Sequence, residues 1–233
     1  MQKSKYRYIV PNGITFISLT CGILSMMLAA TYQLEVAGIL ILISYVLDLL
    51  DGATARRLQA SSAFGLQLDS LVDMVSLGTA PAFLVFMHLQ ANGINEWWAW
   101  LFVVLVPLGG AFRLARFNLL PAKEGSERDS TGLTITSAGA TLALAVLADL
   151  SLSPDYLPDY LFVFLMGLLF VLMVSTIPFP SFFWIFASVR QSVALIALFV
   201  LSLLITTFFT AWFFWQNVYL GFSLIRAGYK TWR

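Results

Sequence analysis

Four aspartates, Asp48, Asp51, Asp69 and Asp73, stand in a stretch that is otherwise mostly apolar. An aspartate at the centre of a membrane helix costs about 2.5–3.5 kcal/mol on insertion scales, so intramembrane acids are rare unless they do chemistry. Asp48 and Asp51 are three apart and Asp69 and Asp73 four apart, spacings that put each pair on one helical face. The short polar break Gln59-Ala60-Ser61-Ser62 between the pairs predicts two antiparallel neighbouring helices whose ends bring all four carboxylates together. Left alone they would repel and take up protons. An oxygen-only donor set of this charge suits a hard divalent ion, Mg²⁺ or Mn²⁺. Two such ions about 3.5–4 Å apart would clamp the attacking and leaving oxygens of a phosphoryl displacement. Gly52 and Gly65 clear side chains from the faces a substrate must approach, and Arg56, one turn beyond Asp51, can fork onto a diphosphate.

The elements that must carry these residues are membrane helices. Of 233 residues, 60% are hydrophobic and 11% charged, against roughly 25% charged in a soluble domain. Hydrophobic runs between turn signals predict helices at 13–33, 36–58, 64–89, 97–117, 132–150 and 159–177. This is an all-α polytopic transmembrane bundle with a six-helix core. Residues 1–182 form the core, and 183–233 add one or two further transmembrane segments, with 192–209 a clear span and 211–225 either a second short span or an interfacial aromatic segment. Lys3, Lys5, Arg7, then Arg56 and Arg57, then Arg113, Arg116, Lys123 and Arg128, then Arg190 occupy alternate connections, whereas Glu35, Glu96, Asp149, Asp155 and Asp159 occupy the others. The positive-inside rule therefore puts the N-terminus and the aspartates on the cytoplasmic side of the cell (inner) membrane.

Other readings are weaker. Arg56 and Arg57 cannot neutralise four acids by salt bridges. A cation transporter would hold its carboxylates near the midplane rather than beside a basic edge. The net charge of +1 argues against nucleic acid. The basic, then apolar first thirty residues read as a retained helix, not a cleaved signal, because no small-x-small site leads into a polar chain. Cys21, the single cysteine, has no internal disulfide partner, and His88, the single histidine, is a structural residue among apolar neighbours. Tryptophans at 97, 98, 100, 212 and 215 read as interfacial belts.

The pattern Asp48-x-x-Asp51-Gly52-x-x-Ala55-Arg56, followed by Gly65-x-x-x-Asp69-x-x-x-Asp73, resembles the full signature of the CDP-alcohol phosphotransferase family. The resemblance runs from about residue 8 to 182. It implies a six-helix core, a lipid-accessible cytoplasmic site with two metal ions, and a homodimer. Asp48, Asp51 and Asp69 would be metal ligands, and Asp73 both a ligand and the base that takes the acceptor's proton. Gly52, Arg56, Ser62 and Gly65 would contact the CDP-lipid. Asn12 and Thr15, in Asn12-Gly13-Ile14-Thr15, resemble the family's nucleotide-contact segment.

Phe64 to Leu71, Gly78 to Ala82, Arg113 to Asn118, Gly132 to Thr136 and Ile177 to Phe182 resemble the phosphatidylserine synthase branch, with Leu77 and Thr134 as departures from its pattern. That implies CDP-diacylglycerol and L-serine as substrates. Glycerol 3-phosphate or inositol phosphate is the alternative acceptor, and either would call for a basic pocket. Arg113 and Arg116 share a helical face and, with Asn118 nearby, are the candidates for holding the acceptor's carboxylate or the lipid phosphate.

Overall fold

A computed structural model describes residues 8–60, 62–94, 97–119, 130–152, 157–180 and 189–231. Lys3, Lys5, Arg7, Glu96, Lys123, Arg128, Asp155, the Ser153-Pro154 break and Phe182 lie outside the described residues.

Among the described residues eight helices account for nearly all of the structure, and they follow the apolar runs. They are α1 (Ile9–Ala30), α2 (Leu34–Arg57), α3 (Ala63–Ala91), α4 (Trp97–Leu119), α5 (Ile135–Leu152), α6 (Asp159–Val174), α7 (Val189–Ser202) and α8 (Phe208–Thr231). The first five are long and apolar enough to cross a bilayer, and α6 is a shorter apolar helix of 16 residues. The chain is therefore a multi-pass membrane protein. Large apolar side chains on α1 and α4, among them Phe16, Met27, Trp100 and Leu108, face outward, as lipid-facing residues should. At the centre stands α5, buried on every side from Ala138 to Asp149 and packed against α2, α3, α6 and α8. A helix apolar all round belongs in such a position.

Helix α1 begins at Ile9 rather than 13, α7 is a 14-residue helix ending at Ser202 rather than a span to 209, and α8 is the longer of the last two, 24 residues from Phe208 to Thr231 rather than 211–225. Three further features depart from the sequence reading. Helix α5 begins at Ile135 rather than 132, because Gly132 takes a left-handed φ of +78° and Leu133 donates its N–H to Leu172 O. Helix α6 ends at Val174 rather than 177, since Ser175 is extended and Pro178–Phe179 forms a short strand (β2) paired antiparallel with Ser130–Thr131 (β1).

The third departure lies inside α3, where Met74–Thr79 form a widened π turn directly after Asp73. Such turns cluster at functional sites. Helix α3 accommodates this one through glycines on its neighbours: a Cβ at Gly139 of α5 would collide with Leu77 O, and one at Gly22 of α1 with Ser76 Oγ. Ser76 in turn donates to Ser18 O (3.1 Å), and Ser18 pairs with Ser44 of α2 (2.6 Å). Buried hydroxyls thus knit α1, α2 and α3 together just behind the aspartates.

The far end of the bundle is held differently. His88 Nε2 lies 3.0 Å from Asp149 Oδ2, with both residues buried, and Asp149 Oδ1 accepts from Leu157 N. Asn92 donates to Asp159 (2.9 Å), and Ser151 pairs with Thr207 (2.7 Å) at the start of α8. His88, expected among apolar neighbours, instead faces the buried carboxylate of Asp149.

Candidate active site

The end of α2 and the first half of α3 bring the acids together. Asp48, Asp51 and Asp69 each offer a carboxylate oxygen, and these three oxygens lie within 4.8 Å of one another. Asp73 is one step deeper and buried, within hydrogen-bonding reach of Asp48, which also reaches Thr136 on the first turn of α5. Two carboxylates at such range need a proton or a cation between them. Among the described residues the buried cation facing the group is Arg113, which interacts electrostatically with Asp73, Asp48 and Asp69. One guanidinium leaves several carboxylates uncompensated, and the all-oxygen set fits a hard divalent ion.

Helix α1 supplies the wall. Thr15 Oγ1 donates to Asp51 Oδ2 at 2.7 Å, and Asn12 Oδ1 stands 3.4 Å from where a Cβ on Gly65 would lie. Ser62 caps the N-terminus of α3 by accepting from Gly65 N (3.0 Å), so its own proton stays available to a ligand. Arg56 is exposed and curls back over Gly52, its Nη1 3.4 Å from where a Cβ would be. The two glycines therefore border the arginine and the α3 N-terminus, a combination suited to anionic oxygens.

The three residues of the second cluster have separate surroundings. Arg113 Nη2 donates to Ser130 Oγ (3.3 Å), while its buried Nε has no partner among the described residues. Asn118 Nδ2 donates to Ser70 Oγ (3.2 Å), and its buried Oδ1 is likewise without one. Arg116 is engaged elsewhere: its two terminal nitrogens donate to Thr131 O, Met173 O, Val174 O and Ser175 O at 2.8–3.3 Å. The helical spacing of Arg113 and Arg116 correctly gives a shared side of α4, but the guanidinium of Arg116 reaches main-chain carbonyls of α6 and β1. Sequence reasoning did not single out Thr136, Ser130 or Ser70 as site residues. A lone hydroxyl residue carries no signal until the fold sets it beside a charge.

Fold and site together define a polytopic helical membrane protein with a cluster of carboxylates, flanked by arginines, where the end of α2 meets the start of α3. The chain belongs to the CDP-alcohol phosphatidyltransferase family, whose model matches residues 8–177. That family generally uses a divalent metal. The chain is 33% identical over 224 residues to a CDP-diacylglycerol--serine O-phosphatidyltransferase of Helicobacter pylori, covering 94% of this chain and 91% of that one. It is 32% identical over 173 residues to the enzyme of the same name from Methanocaldococcus jannaschii, 74% of each chain. An archaetidylserine synthase of Methanothermobacter thermautotrophicus matches at 32% over 174 residues, 73% of this chain and 69% of that one.

Proposed function

We propose that this protein transfers the phosphatidyl group of CDP-diacylglycerol to the hydroxyl of L-serine, giving phosphatidylserine and CMP, at a site that opens on the cytoplasmic face of the inner membrane. The observation that carries the reading is the convergence of Asp48, Asp51 and Asp69 beside a buried arginine whose Nε has no partner among the described residues. The names of relatives that match most of the chain support the acceptor.

Asp48, Asp51 and Asp69 would hold the divalent ions, two in our reading, with Asp73 completing the set. When bound, the ions neutralise the donor's diphosphate and the charge that develops on departing CMP. The chain's own groups do the rest. Arg56, the Ser62 hydroxyl and the α3 N-terminus bind diphosphate oxygens, with Gly52 and Gly65 leaving room for them. Asn12 borders the nucleotide side. Thr15 orients Asp51 through its 2.7 Å hydrogen bond. Arg113 and Asn118 receive the serine carboxylate and ammonium, respectively, through the two atoms that have no partner among the described residues. Arg113 also lies among the acids, so a carboxylate bound there brings the serine hydroxyl towards Asp73. Asp73 accepts the hydroxyl proton as the serine oxygen bonds to the lipid-side phosphorus and the bond from that phosphorus to the CMP oxygen breaks.

The test is an acceptor panel with labelled CDP-diacylglycerol and protein in mixed micelles. Serine-dependent CMP release that needs Mg²⁺ or Mn²⁺ is expected, with ethanolamine rejected because it would leave Arg113 unpaired. Preferential incorporation of glycerol 3-phosphate or inositol 1-phosphate would overturn the acceptor. Full turnover in excess chelator would overturn the role of the carboxylates.

A further inference from the structure

We infer that Ser130 and Arg116 are positioning residues for Arg113, so that serine affinity is set by a contact chain running from the end of α6 to the acceptor pocket. The inference rests on the reading of Arg113 as the acceptor's carboxylate ligand. Ser130 Oγ donates to Gly132 O (3.1 Å) and accepts from Arg113 Nη2 (3.3 Å). With its single proton committed to a carbonyl, the hydroxyl turns lone pairs toward the guanidinium. Arg113 is thereby tethered at one terminal nitrogen, while Nε has no partner among the described residues. A long side chain held in its binding rotamer loses less entropy when ligand arrives.

Ser130 itself needs an anchor, because among the described residues its strand is two residues long and pairs with Pro178–Phe179 alone, and so small a ladder is marginal by itself. Arg116 supplies the anchor. It holds Thr131 O of β1 while binding Met173 O and Val174 O, carbonyls at the end of α6 where no further turn accepts them, together with Ser175 O. Gly132 is what lets the chain pass so close. Its φ is +78°, and a Cβ there would lie 2.6 Å from Arg116 Nη2 and 2.7 Å from Met173 O. The path is therefore α6, Arg116, β1, Ser130, Arg113, and on the proposed reading only its last member contacts substrate.

Steady-state kinetics of the full-length protein in mixed micelles test this, with serine and CDP-diacylglycerol varied separately. Ser130→Ala should raise the serine KM roughly tenfold, the lower end of the scale for one hydrogen bond to a charged group, since the lost bond acts through Arg113. Its donor KM and its unfolding temperature should match the parent. Ser130→Thr, which keeps the hydroxyl, should stay within about twofold of the parent in serine KM. Arg116→Lys should raise the serine KM too but also lower the unfolding temperature, so Ser130→Ala is the decisive variant. Arg113→Lys is measured in parallel. If Arg113→Lys raises the serine KM while Ser130→Ala does not, the positioning chain is overturned and the acceptor reading stands. If both match the parent, the acceptor reading itself fails. Equal losses in Ser130→Ala and Ser130→Thr would also overturn the tether, since the hydroxyl would then be irrelevant.

Discussion

Replacing Thr15 with valine should raise the divalent-ion concentration needed for half-maximal turnover by about tenfold. Thr15 is buried on α1, and its hydroxyl is 2.7 Å from Asp51 Oδ2. Valine keeps the shape and removes the donor, leaving one oxygen of a buried carboxylate without its partner. A hydrogen bond to a charged group contributes about 1.5–3 kcal/mol, or roughly 10- to 150-fold in an equilibrium constant. The same hydroxyl also lies 3.0 Å from Pro11 O. A single proton divided between two acceptors puts the effect near the lower end, hence about tenfold. The assay is turnover against Mg²⁺ and Mn²⁺ concentration, with the donor KM measured at saturating metal. Thr15→Ser should restore the parental curve. A parental metal requirement in Thr15→Val would refute the argument that this bond orients Asp51. A rise in donor KM alone would assign the hydroxyl to the nucleotide instead.

Asp73→Asn should lose turnover by at least a hundredfold while still binding CDP-lipid, because an amide cannot take the acceptor's proton; equilibrium binding of labelled donor checks it. Arg56→Lys should do the reverse, weakening donor binding because lysine lacks the planar fork. His88→Ala should cost about 3 kcal/mol of stability by leaving Asp149 buried without its cationic or N–H partner, read as a lowered unfolding temperature in detergent, with KM values unchanged because the pair lies at the opposite end of the bundle. Gly139→Ala should lower both turnover and unfolding temperature, since its Cβ meets the Leu77 carbonyl of the π turn that follows Asp73. Gly221→Ala, with nothing near it, should do neither.

Much of this was legible in one dimension. Charge-poor runs define the helices because a chain in lipid must satisfy every backbone group within the segment, so hydropathy and length alone nearly fix the elements. The paired spacings of Asp48 with Asp51 and Asp69 with Asp73, on helices joined by a short turn, already require the acids to meet, and three of them do so within 4.8 Å.

Other features are contacts between residues far apart in the chain, and no local pattern encodes them. Arg113 and Arg116 look equivalent on a helical wheel. Only packing shows one guanidinium facing the carboxylates and the other bound to carbonyls at the end of α6. The π turn after Asp73 exists because Gly22 and Gly139, on two other helices, leave room for it. Sequence alone determined which helices form and which acids converge, since both follow from short-range periodicity and the cost of charge in lipid. Tertiary structure alone decided what each arginine and hydroxyl does, because a hydrogen bond depends on the last ångström of approach between segments that the sequence leaves far apart.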